Sequence, residues 1–525
     1  MFKNQPKGLI PAALSNMGER FGYYIMNAVL VLFLCSKFGL KEETASIVYS
    51  CFYAGIYILS LVGGLIADRR QNYKGTIITG LIIMTLGYVI LAFPIFAPAG
   101  ESSTWILVLT CFALFMIAFG NGLFKGNLQA IVGQLYDNPK YASKRDSGFQ
   151  IFYVFINVGG LIAPFVAPFL REWWLGENGL AYNAELPALC HQFLAGTLEN
   201  TANLESLIEG VGGSLTDITG FCQNYITVFN TGIHYSFIAS VLAMLLSLTI
   251  FLVTKKSLPN PGKKESAATI TYTAEEKRAM AKEIRQRMVA LFAVLGIAIF
   301  FWFSFHQNGT SLSLFARDFV KTDSVAPEIW QALNPFYVIV LTPIVMAVFG
   351  ALARRGKVIS TPRKIAIGMG LAGLAYLFLV VVSLFYNYPS AEAFKGLPVA
   401  ESAGMKIGPW VLFVLYFFLT VAELFISPLG LSFVSKVAPK HLQGLCQGLW
   451  LGATAVGNLL LWIGPLIYNA CPIWVAWAVF LGVCLISMGI MYGMVGWLER
   501  VTSDAPAEKV ENKKKGNKKN VVKTI

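Results

Sequence analysis

The sequence predicts an all-α integral membrane protein, with twelve transmembrane helices in two six-helix, pseudo-symmetric bundles. Three observations carry that prediction. The first is composition. The 525-residue chain is 56% hydrophobic and 13% charged, with mean hydropathy +0.62, whereas a soluble domain carries about 25% charged residues. The second is length: uncharged stretches such as "IFYVFINVGGLIAPFVAPFL" and "WVAWAVFLGVCLISMGIMYGMVGWL" suffice to cross roughly 30 Å of hydrocarbon. The third is symmetry. One long polar connection separates six apolar runs from six, and "GLIADRR" after the second run has an echo, "GALARRG", after the eighth. Similar segments at equivalent positions of two halves point to internal duplication.

Taken in order, the predicted spans are 9–37, 44–67, 75–97, 104–134, 148–171, 233–254, 288–316, 333–353, 365–386, 409–435, 443–469 and 473–497. The first is too long for the apolar core of a cleavable leader and is expected to serve as the insertion signal itself. The expected units are a first bundle over 1–254, a cytoplasmic linker over 255–287, a second bundle over 288–497 and a disordered basic tail over 498–525. Within the first bundle, 172–232 is moderately apolar and is expected to form a small helical cap outside. In the linker, Thr273 and Glu276 have capping-box spacing, which predicts a helix running into the seventh span. The tail is charged and poor in apolar residues, the composition of a segment with no core.

Charge sets the orientation. With both termini placed in the cytoplasm, 32 of the 41 Lys and Arg residues fall on the cytoplasmic side, seven fall outside and two lie within spans. That bias predicts a multi-pass protein of the cell (inner or plasma) membrane with cytoplasmic termini. The net charge of +13 is therefore a topology signal spread over loops, and a nucleic-acid partner is excluded. Most of the eight cysteines lie in spans as small packing residues. Cys190 and Cys222 share the outer loop, where an oxidising exterior permits a disulfide and spacing alone does not decide it.

The remaining signal is polar residues at span depth, where an ionisable group costs about 2.5–3.5 kcal/mol on insertion scales. Asn16, Glu19, Arg20, Tyr23, Tyr24 and Asn27 form one stripe of the first helix. Lys125, His306 and Glu423 each head a polar stripe on a different helix. Pairing as helix glue accounts for Glu19 and Arg20 taken alone, but poorly for the whole set. Four polar stripes are best satisfied by one hydrated cavity between two halves, the setting of a carrier. The four His residues, 191, 234, 306 and 441, have no ligand spacing, so no metal and no cofactor are expected. No nucleophile elbow occurs, so enzyme activity is not expected.

Four stretches identify a resemblance: "ERFGYY" (Glu19–Tyr24), "FYVFINVG" (Phe152–Gly159), "FWFSFHQNGTSL" (Phe301–Leu312) and "ELFISPLGLSFVSKVAP" (Glu423–Pro439). They are similar to the signatures E-x-x-E-R-F-x-Y-Y, F-Y-x-x-I-N-x-G, F-W-x-x-[FQ]-[ED]-Q and E-L-x-x-S-P-x-G-L of the proton-dependent oligopeptide transporter family. That family belongs to the major facilitator superfamily. The resemblance covers nearly all spans. It implies a monomeric secondary transporter, embedded in the bilayer, that imports di- and tripeptides with protons by alternating access. It further implies that Tyr23, Tyr24 and Tyr57 line the substrate pocket. Lys125 would attract the peptide carboxylate, and Asn157, Asn334 and Glu423 would hold its ammonium end. Trp302 and Trp450 would wall side-chain pockets, while Glu19 and Arg20 would serve proton coupling and gating.

The departures from the pattern matter equally. The first Glu of E-x-x-E-R is Asn16, the Arg usual at the end of that span is Asn27, and the acid usual at position 306 is His. Losing one partner of a buried pair strands a charge, so the joint change predicts that Asn27 and His306 face each other as a hydrogen-bonded contact. Glu19, Glu423 and His306 are then the remaining proton carriers, with Asn16, Arg20 and Asn27 around them. Two alternatives stay open. One is a carrier of a non-peptide zwitterion, an anion or a peptide-like drug, or an uncoupled uniporter. The other is a membrane sensor that keeps the fold without moving solute.

Overall fold

The computed structural model describes residues 5–40, 42–97, 103–183, 186–198, 200–259, 274–321, 330, 332–357, 359–395, 397, 399–439 and 442–503. Twelve helical segments among them are long and apolar enough to cross a membrane. The first six are Leu9–Phe38, Ile47–Arg70, Tyr73–Ala92, Thr104–Leu135, Ala142–Glu177 and Leu215–Ser257. The second six are Ala281–Ala316, Leu333–Arg354, Thr361–Phe385, Trp410–Val437, Gln443–Ala470 and Ile473–Val501. Ordinals below follow this order. An even number of crossings returns the chain to the face on which it began. Many exposed side chains of the spans are large and apolar, Phe385 (81%) and Val253 (76%) among them, which suits a surface that faces hydrocarbon.

Local sequence explains where several spans begin and end. The first stops at Gly39, whose φ of +64° ends the helix in a left-handed turn. The third starts at Asn72, whose side chain accepts from the Gly75 amide at 3.0 Å. The ninth starts at Ser360, followed by Pro362 in the first turn, where its missing N–H costs nothing.

Packing repeats when the span number rises by six. The first span packs on the fifth and sixth, and the seventh packs on the eleventh and twelfth. The third packs on the fourth and sixth, and the ninth on the tenth and twelfth. Between the halves, the second packs on the eleventh and the eighth on the fifth, a pair of contacts that the same shift interconverts.

One expectation is corrected. The fifth and sixth helices do not stop at the hydrocarbon edge. They run as Arg145–Glu177 and Ile218–Thr254, so the outer cap is shorter than 172–232 and holds two small helices, Leu186–Leu194 and Ala202–Gly210. Apolar residues such as Leu175, Tyr225 and Phe229, all fully buried against the cap, carry the helices onward. The seventh and eleventh spans each contain a break. The seventh turns through a 3₁₀ segment at His306–Gly309 before Ser311–Phe319, and the eleventh breaks between Leu459 and Ile463. Gln307 Oε1 accepts from the Thr310 and Ser311 hydroxyls at 2.9 and 2.8 Å and braces the first break.

The helix expected to enter the seventh span does so as Ala274–Phe305. Thr273 and the tail beyond Ser503 lie outside the described residues.

Candidate functional site

Three polar groupings meet where the halves face each other. The first is built on the first span. Arg20 Nε and Nη2 each donate to a Glu19 carboxylate oxygen at 2.6 Å, and Asn121 of the fourth span donates to Glu19 Oε1 at 2.6 Å. Glu19 and Arg20 are almost wholly buried, as is Asn16 one turn earlier. The guanidinium also lies 4.6 Å from the centre of the Tyr23 ring. The two adjacent charges thus neutralise each other in place.

The second grouping is Lys125 with the tyrosines of the second span. Its ammonium sits 4.4 Å from the centre of the Tyr57 ring, a cation–π contact. Among the described residues no carboxylate lies within ion-pair distance of it. Tyr49, Tyr53 and Tyr57 form a ladder, stacked at 5.7 Å and then edge-on at 5.4 Å. Its middle ring reaches across to His306 at 6.4 Å.

The third grouping belongs to the second half. Asn334 donates to Glu423 Oε2 at 2.7 Å and to Thr420 Oγ1 at 3.1 Å. The other carboxylate oxygen accepts from the Tyr153 hydroxyl of the fifth span. That bond crosses from one half to the other. Asn157 bonds the Tyr153 carbonyl at 2.9 Å and so lies one turn along the same helix face.

Of the remaining predicted residues, Trp302 stacks on His306, with ring centres 4.9 Å apart, and its indole N–H has no partner. Trp450 is buried against Gly430, where any side chain would strike its ring. Tyr24 packs edge-on against Tyr23 at 5.4 Å and lies against Gly160 of the fifth span. The contact expected between Asn27 and His306 is not the one made. Asn27 Oδ1 accepts from the Tyr23 hydroxyl at 3.2 Å, and His306 Nδ1 bonds Asn458 Oδ1 at 2.5 Å. The tyrosine ladder occupies the space between them, and each polar side chain takes the nearer partner on its own side.

Sequence reasoning missed Tyr153 and Asn458. Tyr153 was legible as the residue one helical turn before Asn157. Asn458 offered only an isolated amide two turns after Trp450.

The face that bears the termini is shut by bonds between the halves. Asp68, ending the second span, accepts from the amides of Gly444 and Leu445 at 3.3 and 2.9 Å, in the first turn of the eleventh. A carboxylate there meets unpaired N–H groups and the positive end of the helix dipole. Arg145 donates to Ser435 Oγ at 2.7 Å. Asp146 pairs with Lys436 at 2.7 Å and Lys364 at 3.7 Å and also accepts from Ser432.

Two six-span bundles that meet at a buried, charge-bearing seam, with one face latched, define a membrane carrier of the major facilitator type. The chain belongs to the POT family, whose model matches residues 74–275 and 263–470, and it is therefore a transport protein rather than an enzyme. It is 28% identical over 460 residues to dipeptide and tripeptide permease B of Salmonella typhimurium, covering 87% of this chain and 86% of that one. The same permease of Edwardsiella piscicida is 28% identical over 465 residues, with 87% and 86% covered. Among solved structures, a POT peptide transporter in complex with sulfate superposes with TM-score 0.62 at 22% identity, over 96% of this chain and 97% of that one. A POT family transporter in complex with 5-aminolevulinic acid gives 0.61 at 20% identity, over 96% and 98%.

Proposed function

We propose that the chain imports di- and tripeptides together with protons by alternating access, as a monomer in the cell membrane with both termini in the cytoplasm. The orientation is supported by the excess of Lys and Arg on the termini-bearing side. The observation that carries the substrate reading is the separation of two charges. Lys125, in the first half, has a ring and, among the described residues, no carboxylate beside it, and Glu423, in the second, is held by neutral donors. A zwitterion supplies the missing partner to each. Tyr23, Tyr24, Asn27, Tyr57, Asn157, Trp302, His306, Asn334 and Trp450 are the groups we assign around it. The relatives named as dipeptide and tripeptide permeases favour a short peptide as that zwitterion.

Coupling follows from competition. A protonated Glu423 holds an ammonium poorly, so proton and substrate amine bias the same carboxylate in opposite directions. Glu19 and His306 are the other groups assigned to coupling, with Asn16 and Arg20 beside them. The test is uptake of labelled dialanine into proteoliposomes with and without an inward proton gradient. Accumulation that requires the gradient is expected. Equilibration without any effect of the gradient favours a uniporter, the reading that Asn16 keeps open because a carboxylate usual in the signature is absent there. No uptake at all refutes the peptide assignment.

A further inference from the structure

Cys190 lies on the short cap helix Leu186–Leu194, and Cys222 lies near the start of the helix Ile218–Thr254. Both are thiols in this structure and fully buried. The two helices pack on each other, and each thiol is the other's foremost electrostatic neighbour. The cap is otherwise held by a few polar contacts. His191 bonds the Ser36 carbonyl at 2.7 Å, the Tyr225 hydroxyl accepts from the Asn183 amide and donates to the Ala181 carbonyl, both at 3.0 Å, and the Ala181 amide donates to the Val211 carbonyl at 3.0 Å. Every one of these partners belongs to the first half of the chain.

We propose that Cys190 and Cys222 are oxidised to a disulfide that staples the cap to the sixth span. This rests on the orientation proposed above, which puts the cap outside the cytoplasm, where disulfides persist. The chemistry is thiol–disulfide exchange with a disulfide-bearing oxidoreductase. One cysteine thiolate attacks the enzyme's disulfide and displaces one of its thiolates. The second cysteine thiolate then attacks the resulting mixed disulfide. The Cys190–Cys222 bond forms, the enzyme leaves as a dithiol, and the two thiol protons pass to its sulfurs. Because both sulfurs are buried once the cap has docked, exchange belongs to the folding of the cap. With the two thiols buried side by side on packed helices, side-chain rotation brings the sulfurs to a bond of about 2.05 Å.

The location also fixes what the staple does. It ties cap to sixth span within one half and does not cross the seam on which the halves move. It therefore strengthens the first bundle without restraining transport.

The test uses full-length protein extracted without reductant, denatured in a maleimide-polyethylene glycol reagent and counted by gel shift. Of the eight cysteines, six react in wild type before reduction and eight after, while the C190S/C222S variant gives six in both. Reductant lowers the unfolding temperature of wild type and leaves that of C190S/C222S unchanged. Dialanine uptake is the same with and without reductant. Eight adducts on unreduced wild type overturn the disulfide, and this readout does not depend on any variant folding. Mapping the termini with protease-accessible tags on the same cells shows whether the orientation falls with it. Loss of uptake on reduction overturns the confinement of the staple's effect to one bundle.

Discussion

Gly63 and Gly64 are neighbours on the second span that face different partners. A Cβ on Gly63 would meet the Gly122 carbonyl oxygen and carbon, in the fourth span, at 2.1 and 2.6 Å. A Cβ on Gly64 would meet the Gly444 carbonyl oxygen and carbon, in the eleventh span, at 2.5 and 2.7 Å. Ordinary contacts of this kind are about 3.5–4.0 Å, and backbone cannot rotate away, so each helix pair must part by roughly 1 Å. Overpacking of that sort costs typically 1–3 kcal/mol. The gain in helix propensity from Gly to Ala is the same at both sites and cancels in the comparison. For G63A the cost falls on two spans of one bundle, which stay together throughout a transport cycle, so the unfolding temperature drops. For G64A it falls only on the conformation shut at the termini-bearing face. A penalty of about 1–3 kcal/mol is then roughly a 5- to 150-fold shift toward the conformation open there. Thermal unfolding read beside spin-label distances between the adjoining ends of the second and eleventh spans separates the two outcomes. Equal losses of unfolding temperature with unchanged distances in both variants would refute the reasoning, because the second–eleventh seam would then be static packing.

Further outcomes follow from the site. Lys125→Met is expected to raise the KM for dialanine by about tenfold or more, the scale of a charged hydrogen bond, and to affect dialanine amide much less; uptake kinetics with the two substrates decide it. Glu423→Gln keeps an acceptor for Asn334 and Tyr153 but loses the charge, so affinity for peptides with a free amine falls and the dependence of uptake on a proton gradient is reduced. Asp146→Asn and Lys436→Gln each weaken the latch by about 1 kcal/mol or less, because Lys436 is 38% exposed and the pair is screened. Their combination is no worse than Asp146→Asn alone in the same distance measurement, and raised salt shrinks both effects.

The fold was legible because a bilayer imposes it. Apolar run length and the distribution of basic residues are read by the same physics that inserts the helices. What escaped was set by water and packing beyond the hydrocarbon. The extensions to Glu177 and from Ile218 leave no hydropathy signature, and neither do the breaks at His306 and Leu459. At the site, helical spacing gave Glu19, Lys125, His306 and Glu423 as inward-facing, since a charge in hydrocarbon has few other places to go. It did not give their partners. His306 meets Asn458 rather than Asn27, and Glu423 bonds Tyr153 across the halves. Those pairings depend on which rings fill the space between, a matter of three dimensions.

The bonding of Glu19 to Arg20 bears on how substrate and movement are linked. With Glu19 against Arg20 and Asn121, the first span presents a neutral pair, and Lys125 has, among the described residues, a ring rather than an acid beside it. In the second half Glu423 is the corresponding anion, and its Tyr153 bond already joins the halves. On the proposed reading, an entering ammonium competes for the carboxylate that Tyr153 holds, while the carboxylate of the same ligand engages Lys125. One molecule thereby replaces a single hydrogen-bonded cross-link by two ion-pair contacts, one on each half. A ligand with only one of the two charges satisfies one half and leaves the other as it was. Since a ligand shifts a conformational equilibrium only by its differential affinity for the two states, only the zwitterion favours closure of both halves around it. On that proposed reading, the separation of Lys125 and Glu423 onto opposite bundles is the feature by which binding acts on the equilibrium between conformations.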